Sequence, residues 1–492
     1  MSDAAPTAVP DPVPDSAPGP DARPRVVADG PMADWDAVET ARRITGGEVT
    51  ATEVLDAALA RLAEVDARIG GLFHLDGNRA HEVLARRQRT GDTYRPLHGV
   101  PTAVKDLDQL AGMPTSFGSR ATAGHVSGRT DAPVRQFVDT GLIAVGKSAA
   151  PEFGMTATGE GLGFAPTRNP WDPQHTVGGS SSGAAALVAA RALPIAHAVD
   201  GGGSIRIPAA CAGLVGLKPT YGRLVEDEDM RGLPVKVVSH GVVTRSVRDT
   251  AAFLAAAERT FRNTTMPSIA GVDGPGLGSM RRVAMITESA TGPVDGEVLE
   301  AVERTGAALE ALGHRVEPVA LPFPSSLAED FLLYWGALAQ GITVTGYAKV
   351  GRAFAPDQLD PWTRGLAGHF RSNLHRFPGA IRRLRAFRHD YATFTERYHV
   401  VLGPTLGTLP PELGWLSVDL PFEDYRERVE RFVPFTPAWN VSGAPAVSLP
   451  MALSRSGLPI GVHLGAAHGD DRTLLELAFA LEASAGFNRP LG

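Results

Sequence analysis

From Trp35 onward apolar residues recur at helical spacing, and Gly46-Gly47 marks the end of a first helix. Thr50-Ala51-Thr52-Glu53 is a capping box, after which Leu55, Ala58, Leu59 and Leu62 mark one face of a second helix. Both helices are expected on the outside of the core. Pro96 to Lys105 then reads as a strand, so its lysine falls at a strand end, where α/β sheets place their chemistry. A helix over Val134 to Asp139, a strand over Leu142 to Val145 and a glycine-bearing loop over Pro151 to Gly163 follow. The loop's place in the chain predicts that it lines a pocket.

Ser246 to Ala257 reads as a helix, and Thr264 to Met280, rich in glycine and without period, as a linker. Arg282 to Ile286 is a predicted strand. Val298, Leu299, Val302 and Leu309 mark a helix stopped by Gly313. Phe323 to Tyr398 is long, mostly helical and rich in aromatics and arginine. Within it Ile381, Leu384, Phe387, Tyr391 and Phe394 share a face, while Arg382, Arg383, Arg385 and Arg388 cover the other. That pattern predicts an amphipathic surface helix rather than an anion-binding patch. The whole region is expected to be a lid or wall that selects substrate. His399 to Leu402 enters a strand ending at Gly403-Pro404-Thr405, Pro459 to Leu464 is a late strand, and Leu474, Leu477 and Leu481 mark the closing helix. Alternating βα units predict an α/β fold: a large mixed, mostly parallel β-sheet covered by helices on both faces.

Composition narrows the picture. The chain has 492 residues, 43% hydrophobic and 21% charged, as in ordinary globular proteins. Its net charge of -7 gives no electrostatic case for nucleic acid or for an anionic membrane. Residues 1–30, rich in Ala, Pro and Asp, lack the basic and apolar regions of a signal peptide and are read as a disordered tail. Residues 31–492 are read as one domain, with 323–398 its divergent helical part. The apolar stretch Gly183 to Val199 is interrupted by Arg191 and Pro194, so no transmembrane span is expected. Cys211 is the single cysteine, which excludes an intrachain disulfide and suits a reducing, cytoplasmic setting. The fourteen histidines show no metal-ligand spacing, so neither metal nor cofactor is expected.

Candidate chemistry is concentrated between Val177 and Pro208. Gly178-Gly179-Ser180-Ser181-Ser182-Gly183 runs into an alanine-rich helix, and Gly201-Gly202-Gly203-Ser204 follows a short apolar segment. Three glycines carry no Cβ, so their N–H groups can converge beside Ser204. A hydroxyl next to such donors suits attack on an amide carbonyl, because the donors receive the charge of the tetrahedral intermediate. A base is still required, and no histidine motif stands nearby apart from His197. Asp200 and Arg206 bracket the glycines and are expected to pair and hold the loop, since unpaired buried charge is costly.

Lys105 after Gly99-Val100-Pro101-Thr102-Ala103-Val104, the GGSSSG loop and DGGGSIRIPAACAGLVGLKPTYGR, taken together, resemble the amidase signature family. The likeness runs from about Trp35 to the C-terminal helix and includes PFTPAWNVSGAPAVSLP at 434–450. It implies that Ser204 is the nucleophile, Ser180 a bridging serine entered by a cis peptide bond, and Lys105 the base. It also implies an oxyanion hole from the backbone N–H groups of Gly201, Gly202, Gly203 and Ser204, with Ser181 supporting the site. A lysine base must be uncharged, yet roughly one lysine in two thousand is neutral at pH 7, so burial is expected to depress its pKa. In the family a cysteine falls at the position of Ala212. Cys211 is therefore read as a small buried hydrophobe.

The implied activity is hydrolysis of carboxamide bonds through an acyl-enzyme. The wording around Asn169-Pro170-Trp171, Ser204 to Ala209 and Pro411-Glu412-Leu413-Gly414 is most similar to the bacterial branch with 6-aminohexanoate cyclic-dimer hydrolase and aryl acylamidases. Hydrophobic, aryl or nylon-like amides are thus expected as small-molecule substrates, with esters and carbamates (urethanes) as further acceptors. A homodimer stays open. Three other readings are weighed. The chain could be the glutaminase subunit of a tRNA-dependent amidotransferase, or a binding protein on an amidase scaffold. Gly179 to Gly183 also fits the nucleophile elbow G-x-S-x-G, which would make Ser181 the nucleophile of an esterase, but a proline-broken loop precedes it instead of a strand. Gly141 to Ser148 matches a Walker A motif in letters only, since Leu142 to Val145 reads as core strand.

Overall fold

The computed structural model describes residues 25–485 and 487, apart from 31, 277, 278, 352 and 353. Its strands are β1 (Leu72–Leu75), β2 (Pro101–Lys105), β3 (Ile143–Ser148), β4 (Ile195–Asp200), β5 (Val215–Lys218), β6 (Ser239–Thr244), β7 (Arg282–Met285), β8 (Arg315–Pro318), β9 (Val400–Pro404), β10 (Ala446–Leu453) and β11 (Pro459–Ala466). Eight of them form one mixed sheet in the order β4-β6-β5-β10-β11-β9-β7-β8, and a smaller sheet runs β1-β3-β2. Thr102 Oγ1 donates to the Ile195 carbonyl at 2.9 Å, which ties β2 alongside β4 and joins the two sheets.

The α/β class and the helix-covered mixed sheet match the sequence reading, but the large sheet, expected to be mostly parallel, is paired mostly antiparallel. Parallel pairing in the large sheet is confined to one end, where β7 pairs with both β8 and β9, and β2 and β3 are parallel in the small one. The helix Gly296–Ala311 crosses over between β7 and β8, as a parallel pair requires. The other pairs of the large sheet are antiparallel. β10 and β11 need only the turn Ser454 to Leu458, where Gly457 takes φ 81° and Ser454 N–H bonds the Leu458 carbonyl at 2.8 Å.

Alternate residues along the central strands enter different cores, because side chains of a strand point to opposite faces. Val447, Leu449, Val462 and Leu464 pack with the closing helix Asp471–Ala485 and the helix Val247–Ala257. Ala446 and Val401 pack on the other side, against the helices Leu327–Val350 and Phe377–Arg397. In the latter helix Leu384, Phe387 and Tyr391 are buried while Arg382, Arg383, Arg385 and Arg388 are exposed, the amphipathic arrangement predicted from spacing.

Several boundaries differ from the sequence reading. The strand before Lys105 begins at Pro101, because Leu97 to Val100 forms a turn in which Val100 N–H bonds the Leu97 carbonyl. The segment 264–280 buries Ile269 and Val272 in the main core, so its described residues pack instead of spacing two units apart. The tail expected over 1–30 lies outside the described residues up to 24. Val26 and Ala28, however, are buried and bond the Pro170 and Ala190 carbonyls, so the packed chain starts before residue 30. Strand β5 is invisible to a pattern search: its Val-Gly-Leu-Lys is short, and a Cβ on Gly216 would lie 2.5 Å from that of Ala209.

Candidate active site

Strand β2 ends on Lys105, whose side chain is fully buried. Its Nζ donates to Ser180 Oγ at 2.8 Å, Ser181 Oγ at 2.9 Å and the Val199 carbonyl at 3.3 Å. All three partners are neutral oxygens. Burial pulls the amine down from the ordinary lysine range to about 7, against the opposing pull of the Asp108 and Asp200 carboxylates.

The peptide bond between Gly179 and Ser180 is cis, as the family resemblance implies. Glycine is required at 179 because a Cβ there would sit 2.5 Å from the Thr158 carbonyl oxygen. Ser181 Oγ is spent on Lys105 and on the Val199 N–H at 3.3 Å. The residues before it make only isolated bridges, Arg168 to Thr176 and His175 to Glu412, so the strand that a nucleophile elbow needs is not there. The Walker-like letters fall on β3, with Lys147 buried in the interior, donating to the Asp108 carbonyl at 2.5 Å and to Thr115 Oγ1 at 3.0 Å.

Ser204 stands in the turn after β4, just before the helix Arg206–Ala212, and is 7% exposed. Its carbonyl accepts the Ser181 N–H at 3.3 Å, which joins the two serine loops. The turn is fixed from beneath by Asp200. This carboxylate accepts the Gly203 N–H at 2.7 Å, the Ile205 N–H at 3.2 Å, Arg206 Nε at 2.9 Å and Asn440 Nδ2 at 2.8 Å. One expectation is corrected here. Gly203 cannot offer its N–H to an oxyanion, because Thr436 Oγ1 holds the Gly202 carbonyl at 2.7 Å and Asp200 holds the Gly203 N–H on the other side of the same peptide plane.

Burial alone would raise the Asp200 carboxyl, but the charge of Arg206 and hydrogen bonds from Arg206 and Asn440 outweigh it and hold the group well below the usual carboxylate range. Arg206 also donates to Asn440 Oδ1 at 2.7 Å and faces His463 Nε2 at 3.1 Å. The pair Asp200–Arg206 is the one predicted from sequence. Asn440 and His463 carried no such signal, since both come from the distant C-terminal part of the chain. Cys211 is buried with its thiol pushed up by desolvation, consistent with a packing residue.

Ser204 and Gly202 open into an apolar cleft walled by Phe323, Leu327, Phe331, Leu332, Trp335 and Trp362, with Gly154 to Ala157 along one side. The loop 151–163 and the helical region 323–398 thus both line it. One carbonyl fixes the aromatic wall: Trp335 Nε1 and Trp362 Nε1 each donate to the Met155 oxygen at 3.1 Å. Trp335 also stacks on Phe331, with ring centroids 5.5 Å apart.

A family model described as Amidase matches residues 53–475. The chain belongs to the amidase family. This amidase is 42% identical over 462 residues to the "Putative amidase AmiC" of Mycobacterium tuberculosis, covering 94% of this chain and 97% of that one. It is 32% identical to the 6-aminohexanoate-cyclic-dimer hydrolase of Paenarthrobacter ureafaciens, over 91% and 94% of the two chains. A solved structure of 6-aminohexanoate cyclic dimer hydrolase with substrate superposes with a TM-score of 0.81 at 28% identity, covering 92% of this chain and 97% of that one. A bacterial aryl acylamidase of the amidase signature family shares the fold at TM-score 0.81 and 23% identity, over 94% and 98%. The amidase is an amide hydrolase, and among its described residues no helix is long and apolar enough to cross a membrane.

Among the described residues Asp108, His197 and His240 are the trio whose nitrogen and oxygen atoms lie close enough, within 4.8 Å, to consider a metal ion. Both nitrogens of His240 already have partners. His240 Nε2 is taken by Asp227 at 2.8 Å, and its Nδ1 faces His197 Nε2 at 3.3 Å.

Proposed function

We propose that this amidase hydrolyses hydrophobic amides, aryl or nylon-oligomer-like, with carbamates as a further substrate class, through an acyl-enzyme on Ser204. The observation that carries the reading is a fully buried lysine amine 2.8 Å from Ser180 Oγ with only neutral oxygens as hydrogen-bond partners. A buried amine without a paired carboxylate is favoured in its neutral form, and a neutral amine can accept a proton.

The steps combine the Lys105–Ser180 contact with the roles that the family resemblance implies for Ser204 and Ser180. Ser204 Oγ attacks the substrate carbonyl; its proton passes to Ser180 Oγ while the Ser180 proton passes to Lys105 Nζ, leaving an ammonium. The oxyanion is received by backbone N–H groups of the glycine turn. As the C–N bond breaks, the proton returns by the same route to the leaving amine. Water then attacks the ester along the same path and releases the acid and free Ser204.

The apolar cleft supports the substrate class, since its wall would bury a ring or methylene chain next to Ser204. A panel of anilides, linear and cyclic nylon oligomers and small dicarbamates tests it. Failure to cleave any hydrophobic member rejects the assignment. Trp335→Ala is expected to raise KM for an anilide about tenfold, in the range for a lost apolar contact, with a smaller change for acetamide. Equal loss on both substrates argues against a substrate-binding wall. With Lys105 as the base, kcat/KM for an uncharged amide is expected to rise with pH through about 7 and then level off. A profile flat between pH 5 and 9 contradicts the assignment.

A further inference from the structure

A second set of buried polar groups lies behind the lysine, and the steps above do not use it. Asp108 follows β2 in a turn whose N–H bonds the Lys105 carbonyl at 3.2 Å. His197 lies on β4, two residues before Val199, whose carbonyl accepts Lys105 Nζ. His240 on β6 is the register partner of Val199. The two imidazoles stack with centroids 5.5 Å apart, and His240 Nδ1 faces His197 Nε2 at 3.3 Å. Beyond them His240 Nε2 meets Asp227 Oδ2 at 2.8 Å, and His197 Nδ1 points at Asp108 Oδ2 across 3.9 Å. Asp227, His240, His197 and Asp108 therefore form one file, hydrogen-bonded from Asp227 to His197 and open by 3.9 Å before Asp108, that ends beside the lysine turn.

The proton positions in this file follow from its neighbours. A doubly protonated His240 donates to Asp227 and to His197 Nε2, which leaves the His197 proton on Nδ1, aimed at Asp108. Burial disfavours the imidazolium, but Asp227 and Asp108 overcome it and push His240 up to about 9. Burial, and then the positive charges of His240, Lys105 and Lys147, hold His197 neutral, well below the ordinary range. Asp108 Oδ2 and His197 Nδ1 make no hydrogen bond, an expensive arrangement for buried atoms unless they serve another group.

We propose that Asp108, His197 and His240 are positioning residues for the base: with Asp227 they form a fixed sequence of charges behind Lys105 that sets the balance between its amine and ammonium forms. The proposal rests on Lys105 being the base. A lone buried carboxylate at Asp108 would hold the lysine as an ammonium and prevent it from accepting a proton. The His240 cation draws off part of that field, so the amine can still lose and regain its proton. The other charged groups near the file are Asp106 and Lys147, which lie 3.6 Å apart, Asp131 before the helix Ala132–Asp139, Glu226 next to Asp227, and Asp200 with Arg206 at the far end of β4.

The test is the pH profile of kcat/KM on one uncharged amide. Asp108→Asn removes the carboxylate that favours the ammonium, so the acid limb is expected to move down by about one pH unit. His240→Gln removes the opposing cation and is expected to move the limb up by a similar amount. Asp227→Asn, at the more accessible end of the file, takes away the carboxylate that holds the His240 proton; with that cation lost the limb should move in the same direction as for His240→Gln, which guards against misfolding of the buried variants. Opposite shifts for Asp108 and His240, with plateau activity within about tenfold of wild type, are the expected result. Shifts of the same sign, no shift, or stoichiometric zinc in the purified enzyme whose removal moves the limb would overturn the proposal. Lys105→Ala, run in parallel, separates the two readings: if it stays active, the base assignment fails, whatever the file does.

Discussion

Ser204→Ala is expected to lower kcat/KM for any cleaved amide by at least about 10⁴-fold, and Lys105→Ala by a comparable factor, because members of a nucleophile-base unit fail together. Ser204→Ala removes a single hydroxyl, whereas Lys105→Ala empties a fully buried position and leaves the oxygens of Ser180, Ser181 and Val199 without their donor. The Ser204 side chain lies at the floor of an open cleft, so the melting temperature of Ser204→Ala should stay within about 2 °C of wild type. Steady-state kinetics and labelling by a fluorophosphonate check the expectation: wild type should be modified at Ser204, and the Ser204→Ala chain should take no label. Near-full turnover in either variant removes the acyl-enzyme route. Labelling that moved to Ser181 would support the nucleophile-elbow reading instead.

The second large effect is expected on stability. Asp200→Ala leaves the fully buried Arg206 guanidinium without its carboxylate, and breaking a buried pair from one side costs about 3–5 kcal/mol. It also frees the N–H groups of Gly203 and Ile205, so the turn that carries Ser204 loses its anchor and activity should fall as well. The pH dependence has a definite sign. The folded-state pKa of Asp200 lies below its unfolded value, so its contribution is fully present above the unfolded value, about 3.9, and fades as pH falls through the folded one. Wild type is therefore expected to lose stability more steeply than Asp200→Ala once the pH falls below about 4, measured by urea unfolding from about pH 5 down to about pH 2. Equal unfolding midpoints for the two proteins at neutral pH would show that the pair contributes nothing.

These effects differ in how they could be read from the chain. Ser204 was legible from the glycines beside it, whereas Lys105 and Ser180 were singled out only because their motifs resemble those of the amidase signature family. Asp200 and Arg206 were legible as a pair because they are six residues apart and share one turn. The role of Gly203 was not, since an exposed N–H and one held by Asp200 look the same in a sequence. His197 and His240 were passed over as scattered histidines. They lie 43 positions apart and meet only because β4 and β6 are antiparallel neighbours. Trp335 and Trp362 likewise meet at one carbonyl of a loop that precedes them by 180 and 207 positions.

Local pattern placed the glycine turn beside Ser204 and many of the helices that cover the sheet, because backbone propensity and short-range hydrogen bonding act over a few residues, and motif likeness to the amidase signature family added Lys105 and Ser180. Tertiary structure decided the order of the strands, the partner of the Gly203 N–H and the burial that lowers the lysine's pKa. Those depend on burial and on every charged group within several ångströms, whatever its place in the chain.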